Sequence, residues 1–273
     1  MTATNLFDIA DRVIIITGGT GALGGSMAQH LLQAGARIVL LGLHPEKVTK
    51  SMAALKKISP EVLGFSANVT DKERLLEVRD AILQKWGKID VLINAAGGNM
   101  PGATIGPNQN IFDLQMADFS TVVALNLDGS VLPSLVFGET MAAQGKGSII
   151  NISSMTATRA ITRVVGYSAS KAAIENFTKW MATEMALKFG GAIRVNAIAP
   201  GFFIGNQNRA LLTNEDGSYT QRGETIIAHT PMKRFGEAEE LHGAVHWLLS
   251  DAASFVTGTI IPIDGGFGAY SGV

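Results

Sequence analysis

The chain has 273 residues, of which 47% are hydrophobic and 16% are charged, and its formal net charge is −1. That composition excludes a disordered chain and offers no electrostatic surface for nucleic acid, so we expect no nucleic-acid partner. Cysteine is absent, which excludes disulfides, thiolate zinc sites and a cysteine nucleophile. No secretory signal is visible, and apolar runs stop short of the ~20 residues of a membrane span, so we predict a cytoplasmic protein without a membrane partner.

Short apolar runs that predict strands alternate with amphipathic helical patterns along the sequence. The strand-like runs are Arg12–Thr17, Ala36–Leu41, Val62–Ala67, Val91–Asn94, Ser148–Ser153, Arg194–Ala199 and Thr259–Ile263. The helical patterns are Gly24–Ala34, Pro45–Ile58, Lys72–Trp86, Met116–Ala143, Tyr167–Phe189 and Ala238–Leu249. Strands that are apolar throughout are buried on both faces, and repeated βαβ units cover both faces with helices. We therefore predict an α/β fold, a single doubly wound Rossmann-type parallel sheet of about seven strands, as one domain over residues 1–273.

Two irregular segments follow the ends of predicted strands. A stretch rich in Gly, Pro and Asn, Gly97–Asn110, follows the fourth strand, and a long insertion at about residues 201–236 follows the sixth. Ligands of open α/β sheets bind beyond the carboxyl ends of the strands. Because long loops at such positions form the walls of binding sites, we predict that the second segment is a substrate lid.

The first predicted strand leads directly into a glycine-rich turn and then a helix. From Thr17 to Gly24 the sequence is TGGTGALG. Glycine lets the backbone turn tightly and approach a pyrophosphate, while the helix N-terminus offers free N–H groups and the positive end of the helix dipole. Glycines also serve ordinary tight loops, but this position between strand and helix of a βαβ unit predicts a dinucleotide site.

Tyr167 and Lys171 stand four residues apart at the start of a predicted helix, so their side chains share one face. An ordinary tyrosine has a pKa near ~10, and a neighbouring cation lowers that pKa toward the range useful for proton transfer. By itself, the pair also fits an ordinary helix. Ser154, at the end of the preceding strand, is placed to reach Tyr167 and hold a substrate oxygen. A nucleophilic role for Ser154 is disfavoured, since no GxSxG turn and no His and Asp partners accompany it.

Three further features fit the same plan. Asn94, Ala95, Ala96 and Gly97 close the fourth strand, and Pro200-Gly201 closes the sixth, where small residues let a nicotinamide approach the backbone. Asn126 lies in the middle of a predicted helix, where asparagine is unfavourable. We therefore expect Asn126 either to bond the backbone locally or to hold a water that links Lys171 to solvent.

These motifs, in this order and spacing, resemble the short-chain dehydrogenase/reductase family from about residue 11 to residue 266. The resemblance implies a catalytic tetrad of Asn126, Ser154, Tyr167 and Lys171, in which Tyr167 is the general acid of reduction and the general base of oxidation. It also implies that Lys171 holds the nicotinamide ribose and that the protein is a homotetramer that pairs its two long helices. The residues expected at the cofactor are Gly18, Thr20, Gly21, Leu23, Gly24, Gly42, His44, Asn68, Val69, Asn94, Ala95, Gly97, Tyr167, Lys171, Pro200, Gly201 and Phe203.

The choice between NAD and NADP stays open from the sequence. An acidic residue at the end of the second strand would bind the ribose hydroxyls and repel a 2′-phosphate, but Gly42 stands there. His44 and Lys47 are candidate phosphate contacts, and both also fit a solvated loop. Asn68 replaces the family's usual Asp beside adenine and can still accept a hydrogen bond. Gly205 replaces a threonine expected at the nicotinamide carboxamide.

The lid and the carboxyl-terminal tail resemble a narrower subgroup of that family, the D-mannonate oxidoreductases or fructuronate reductases of the short-chain type. This resemblance implies the interconversion of a ketone and a secondary alcohol, D-fructuronate and D-mannonate, with a sugar acid as the small-molecule partner. Arginine binds carboxylates in bidentate fashion, although each arginine alone also fits a solvated surface. The residues expected at the substrate are Asn99, Ser154, Met155, Arg163, Asn206 and Arg209, with Arg159 and His229 as further candidates.

Other functions remain open. A reductase of another keto sugar acid or polyol (gluconate 5-dehydrogenase-like) or a 3-oxoacyl reductase would share the core motifs, although the polar lid disfavours an acyl substrate. A dinucleotide-sensing regulator would need no catalysis, and the complete tetrad argues against it. His242 and His246 lie four apart on a helix, but no Glu follows His242 and no third ligand is evident, so we predict no metal.

Overall fold

The computed structural model describes residues 5–205 and 209–272. Within them, seven parallel strands form one sheet in the order β3-β2-β1-β4-β5-β6-β7. The strand order reverses direction between β1 and β4, which opens a crevice at the carboxyl ends of these two strands. The predicted α/β sheet is therefore confirmed. The strands are β1 (Val13–Thr17), β2 (Arg37–Gly42), β3 (Val62–Ser66), β4 (Val91–Asn94), β5 (Gly147–Ile152), β6 (Ile193–Pro200) and β7 (Ile260–Ile263).

Helices cover both faces of the sheet: α1 (Ala22–Gln33), α2 (Pro45–Leu55), α3 (Lys72–Trp86), α4 (Met116–Val123), α5 (Gly129–Gln144), α6 (Val165–Phe189), α7 (Arg209–Leu212), α8 (Gln221–His229) and α9 (His242–Leu249). Along β1 the side chains alternate between the two faces. Ile14 and Ile16 pack against α1 and α9, while Val13 and Ile15 pack against α3, α5 and α6. Because both faces are covered, every residue of β1 is buried.

The long helix predicted over Met116–Ala143 contains one irregular turn. A π-helical turn, Ala124–Asp128, separates α4 from α5. The physical reason lies at Asn126, whose amide Nδ2 donates both to the carbonyl of Val122 and to that of Gly98 in the neighbouring loop. π-helical turns are frequent at functional sites. The predicted helix is present from Met116 to Gln144, and the π-helical turn changes its hydrogen bonding at a residue that disfavours the helix interior.

Other boundaries differ by a turn or less. The helix that carries Tyr167 begins two residues earlier, at Val165, and a 3₁₀ turn, Ala238–Leu241, replaces the first part of the helix predicted to end at Leu249. The segment Met116–Gln144 is long and apolar enough to cross a membrane by length and composition alone. Half of its most apolar window is buried inside the fold, as in the core helix of a sheet protein.

The insertion at residues 201–236 contains two helices, α7 and α8, where the sequence indicated irregular structure. Its two ends meet, because the Gly236 amide donates to the carbonyl of Phe202 and Phe203 forms a bridge with Gly236. Inside it, Leu212 and Ile226 pack with Phe235 as a small separate apolar cluster. The described parts of this segment, called the lid below, thus fold together, and the segment begins and ends at the carboxyl edge of the sheet.

Candidate active site

The glycine-rich turn joins β1 to α1 at the crevice. Gly18 has φ +63°, and a side chain there would collide with the Ala95 carbonyl after β4. Gly24 packs directly on the backbone of Gly18, so a side chain has no room there either. Gly21 begins α1 without any side-chain cap, which leaves the first N–H groups of the helix for a ligand. The turn thus has the open backbone geometry that is expected from the sequence for a pyrophosphate site.

Ser154, Tyr167 and Lys171 come together at the carboxyl end of β5. The Lys171 ammonium donates to the carbonyl of Ile152, the last residue of β5, at 2.7 Å. It lies 5.3 Å from the centre of the Tyr167 ring, and the Tyr167 hydroxyl is hydrogen-bonded to Ser154. Ser154 also accepts a bond from the amide of Thr156. The four-residue spacing and the strand end therefore place three predicted catalytic residues in one volume.

The electrostatics of this group differ from expectation. Burial raises the pKa of Tyr167, and the hydrogen bond from Ser154 only opposes that shift. The sequence predicted that Lys171 lowers the pKa of Tyr167, but burial sets the direction of the shift, while the Lys171 ammonium lies over the Tyr167 ring and binds the Ile152 carbonyl. Burial also lowers the pKa of Lys171 to about 8. Tyr167 is thus held as a phenol, which suits it to donate a proton.

Asn126 lies behind this group, in the π-helical turn. Its side chain accepts from the Gly98 amide at 3.1 Å and donates to the Gly98 carbonyl at 2.7 Å. A Cβ on the adjacent Gly97 would lie 2.6 Å from Asn126 Oδ1 and 3.4 Å from Lys171 Nζ. Gly97 thus lets Asn126 and Lys171 approach each other. Of the two roles expected for Asn126, the structure shows the backbone bonds.

The end of β2, where adenosine ribose is expected, has no space for a side chain. A Cβ on Gly42 would lie 2.8 Å from Thr20 Cγ2 and 3.0 Å from Val48 Cγ2. The side chain of Thr20 therefore occupies the space that an acidic residue would need. His44 is exposed, and its ring nitrogen lies 4.0 Å from the Glu46 carboxylate.

Several predicted cofactor residues are held by contacts within the protein. Leu23 packs partly buried against the core, and Asn68 Oδ1 already accepts two bonds from Thr70. Asn94 supports the edge of the sheet from inside, since its buried Nδ2 donates to Ser130, Ser134 and Asn151. Other predicted cofactor residues form close packing contacts with or at a glycine. Val69 packs against Gly129, and Gly201, which follows Pro200, packs against Asp264. Phe203 packs against Gly236 at the base of the lid.

The predicted substrate residues are only partly brought together. Met155 is buried beside Ser154, and Asn99 donates to Thr104 at 2.7 Å while its buried Oδ1 has no partner among the described residues. Arg163 lies in the loop before α6, whereas Arg209 is exposed at the start of α7. Asn206 lies outside the described residues.

Sequence reasoning missed one arginine at this edge. Arg222, on α8 of the lid, donates to Thr162 in the loop between Ser154 and Tyr167 at 3.3 Å. No motif marks it, because its position depends on how the lid folds back over that loop. Arg159, a further candidate, instead donates to the carbonyl of Gly268 and ties the same loop to the carboxyl-terminal tail.

His242 and His246 pack with His30 of α1. The His30 and His242 rings stack at 4.4 Å, and His30 Nε2 lies 3.2 Å from His246 Nδ1. Over residues 5–205 and 209–272, no group of three or more His, Cys, Asp or Glu is arranged to hold a metal ion. These histidines form a packing cluster between helices.

A serine, tyrosine and lysine at the carboxyl edge of a parallel sheet, beside an open glycine-rich turn, define an oxidoreductase with a nicotinamide dinucleotide cofactor. The family model described as enoyl-(acyl carrier protein) reductase matches residues 19–268. The protein belongs to the short-chain dehydrogenase/reductase family.

Its relatives match over nearly the whole length. An uncharacterized oxidoreductase, UxuB, of Bacillus subtilis is 42% identical, over 97% of this protein and 98% of its own length. The 2-dehydro-3-deoxy-D-gluconate 5-dehydrogenase of Formosa agariphila is 32% identical, over 99% and 97%. A crystal structure from Haemophilus influenzae, provisionally assigned as a D-mannonate oxidoreductase and holding NAD, is 42% identical with a TM-score of 0.90, over 98% of this protein and 100% of its own length.

Proposed function

We propose that the protein interconverts D-fructuronate and D-mannonate, with a nicotinamide cofactor as the hydride donor for the ketone and the group of Ser154, Tyr167 and Lys171 as the source of the proton. The observation that carries this proposal is the hydrogen-bonded, buried placement of that group beside a glycine cradle for a dinucleotide. The choice of a sugar acid is supported by the provisional assignment of the Haemophilus influenzae relative and by the sugar-acid substrate in the name of the Formosa agariphila relative.

The side chains divide the chemistry as follows. A bound reduced nicotinamide supplies the hydride. Ser154 holds the ketone oxygen by a hydrogen bond, and Tyr167 donates the phenolic proton to that oxygen as the alcohol forms. Lys171 places a positive charge 5.3 Å from the centre of the Tyr167 ring, which favours the phenolate that forms, and Asn126 fixes the Gly97–Gly98 backbone against which Lys171 lies.

We propose NAD as the preferred dinucleotide. Arg74, which reaches the end of β3, donates to the Ser66 carbonyl and pairs with Glu77 at 2.7 Å, so its charge is already balanced. Glu46 lies beside His44 and adds negative charge where a 2′-phosphate would sit. The Haemophilus influenzae relative holds NAD.

A second candidate is the oxidation or reduction of another sugar acid, since the Formosa agariphila relative is named for a deoxygluconate. A 3-oxoacyl substrate is less well matched, because the charged Arg222 lies in the cavity beside the lid with Gln221 and His229, although apolar residues line that cavity too. All four tetrad residues are present and grouped, so a purely sensory role is not proposed.

The test is a set of initial rates on D-fructuronate, 5-ketogluconate and an acetoacetyl thioester, each with NADH and with NADPH. We expect the highest kcat/KM for D-fructuronate with NADH. Faster turnover of 5-ketogluconate would move the assignment to the second sugar acid and keep the mechanism. Preference for the thioester would contradict a sugar-acid function, and preference for NADPH would contradict the cofactor proposal alone.

A further inference from the structure

Two half-buried arginines, one in the loop before α6 and one on the lid, have no acidic partner among the described residues. Arg163 lies in the loop before α6, and Arg222 lies on α8 of the lid. Neither forms an ion pair with any residue that the structure describes. Five other arginines pair with carboxylates, Arg12, Arg37, Arg74, Arg79 and Arg234, while Arg159 and Arg194 donate to backbone carbonyls and Arg209 is exposed.

The two guanidinium groups belong to different segments that meet. Arg222 donates to Thr162, the residue before Arg163, at 3.3 Å. Burial lowers the pKa of Arg222, and the positive charge of Arg163 lowers it further. Two like charges that are partly removed from water repel each other unless an anion lies between them. Such a placement is therefore unfavourable in the absence of a negatively charged ligand.

Specific hydrogen bonds fix the backbone near both arginines. Arg163 has φ +80°, a conformation uncommon for a side-chain-bearing residue, and its carbonyl accepts from the Ile105 amide at 3.0 Å. On the lid, Thr220 caps α8 by accepting from the Gly223 amide and donates its own hydroxyl to the Leu211 carbonyl of α7. The backbone around each guanidinium is thus fixed by specific bonds on both sides.

A cavity of ≈ 550 Å³ lies between the lid and the loop that joins Ser154 to Tyr167. Thr162 and Arg222 line it together with Gln221, Thr225 and His229. The N-terminus of α8 opens at the same place, so that the positive end of its dipole adds to the charge of Arg222, and Arg163 follows Thr162 at the margin of the cavity. The lining therefore combines hydroxyl and amide groups and the Arg222 guanidinium with apolar side chains, among them Ile161, Phe202 and Phe267.

We propose that Arg163 and Arg222 form a two-arginine clamp for the carboxylate of the sugar-acid substrate, the second arginine being supplied by the lid. This inference rests on the proposed function and adds the residues that select the acid. A carboxylate between the guanidinium groups removes their repulsion and joins the lid to the catalytic loop. A neutral ketose leaves the repulsion in place, so the clamp discriminates by charge.

The experiment compares D-fructuronate with D-fructose, which has a hydroxymethyl group in place of the carboxylate. The ratio of their kcat/KM values is measured for the wild type and for Arg222→Gln and Arg163→Gln. We expect each substitution to lower kcat/KM for D-fructuronate by about 10- to 100-fold, mainly through KM, because a charge-assisted bond is lost. The value for D-fructose should change little, and Arg222→Lys should recover part of the affinity.

Arg79→Gln is the matched control, since Arg79 of α3 pairs with Glu139 of α5, away from the lid. Thermal unfolding of each variant shows whether it folds, and Arg222→Ala or Arg163→Ala replaces the corresponding glutamine variant if that variant does not fold. A wild type that prefers D-fructuronate and an Arg222→Gln variant that keeps the same preference would overturn the clamp and leave the proposed function standing. A wild type with no preference for the acid would overturn both.

Discussion

At the scale of single residues, the surroundings of Lys171 and Tyr167 shift the pKa values of the two side chains in opposite directions. Burial lowers the pKa of Lys171 to about 8 and raises that of Tyr167. Near neutral pH the ammonium is charged and the phenol protonated, the combination that proton donation to a ketone needs. Since the Lys171 charge is lost as the pH rises through about 8, ketone reduction is favoured on the acidic side of that value.

The proton role of Tyr167 gives a direct prediction. Tyr167→Phe removes the transferable proton and keeps the ring against Lys171, so turnover should fall at least about 100-fold. Dinucleotide binding, followed by fluorescence titration, should change by no more than a few-fold. Tyr219→Phe is the matched control, because its ring contact with Phe235 in the lid needs no hydroxyl. Normal turnover by Tyr167→Phe would refute the proposed role.

The sequence anticipated these residues because helical spacing and strand ends are local properties. Tyr167 and Lys171 share a face in any helix, and Ser154 must follow β5 wherever the strand lies. Spacing did not predict the position of the ammonium, because the Ile152 carbonyl that binds it belongs to another element. The expected fall in the pKa of Tyr167 failed because burial of the phenol, which spacing does not predict either, raises that pKa.

At the scale of elements, the contact between α1 and α9 depends on uncharged histidines. Burial lowers the pKa of His30, and the nearby His242 and His246 lower it further. Burial also lowers the pKa of His242, while Glu239 and Ser26 act in the opposite direction. Both imidazoles bind protons less readily in the folded protein than in the unfolded one.

We therefore expect the contribution of this cluster to the free energy of unfolding to be fully present above the ordinary histidine pKa of 6.5. That contribution is lost as the pH falls from 6.5 through the lowered pKa values of the folded protein. The melting temperature should drop between about pH 7.5 and about pH 5.5, and His30→Asn should reduce that drop. His44→Gln, at an exposed histidine outside the cluster, serves as the control. An equal pH dependence in wild type and His30→Asn would show that the cluster does not control acid stability.

At the scale of the whole molecule, α5 and α6 carry apolar side chains that no described residue covers. Leu135 is 57% exposed, Trp180 62% and Leu187 80%. Exposed apolar groups on neighbouring helices are typical of surfaces that associate. We propose that copies of the protein pair through these two helices in a homotetramer.

Light scattering tests this assembly. The wild type should have about four times the mass of one subunit, and the double variant Leu135→Glu with Trp180→Glu should be smaller, because buried charges oppose association. Ile58→Glu, an equally drastic change at an exposed apolar residue after α2, should leave the mass unchanged. A monomeric wild type at micromolar concentration would contradict the proposal.

The sequence by itself determined the order of strands and helices, the glycine cradle and the spacing of Ser154, Tyr167 and Lys171, because periodicity and turn chemistry act over a few residues. The tertiary structure decided the rest. It filled the space beside Gly42 with Thr20, and it brought Arg222 of the lid to the loop of Arg163. Such contacts join residues far apart in the sequence, and their positions follow from packing, which no local pattern contains.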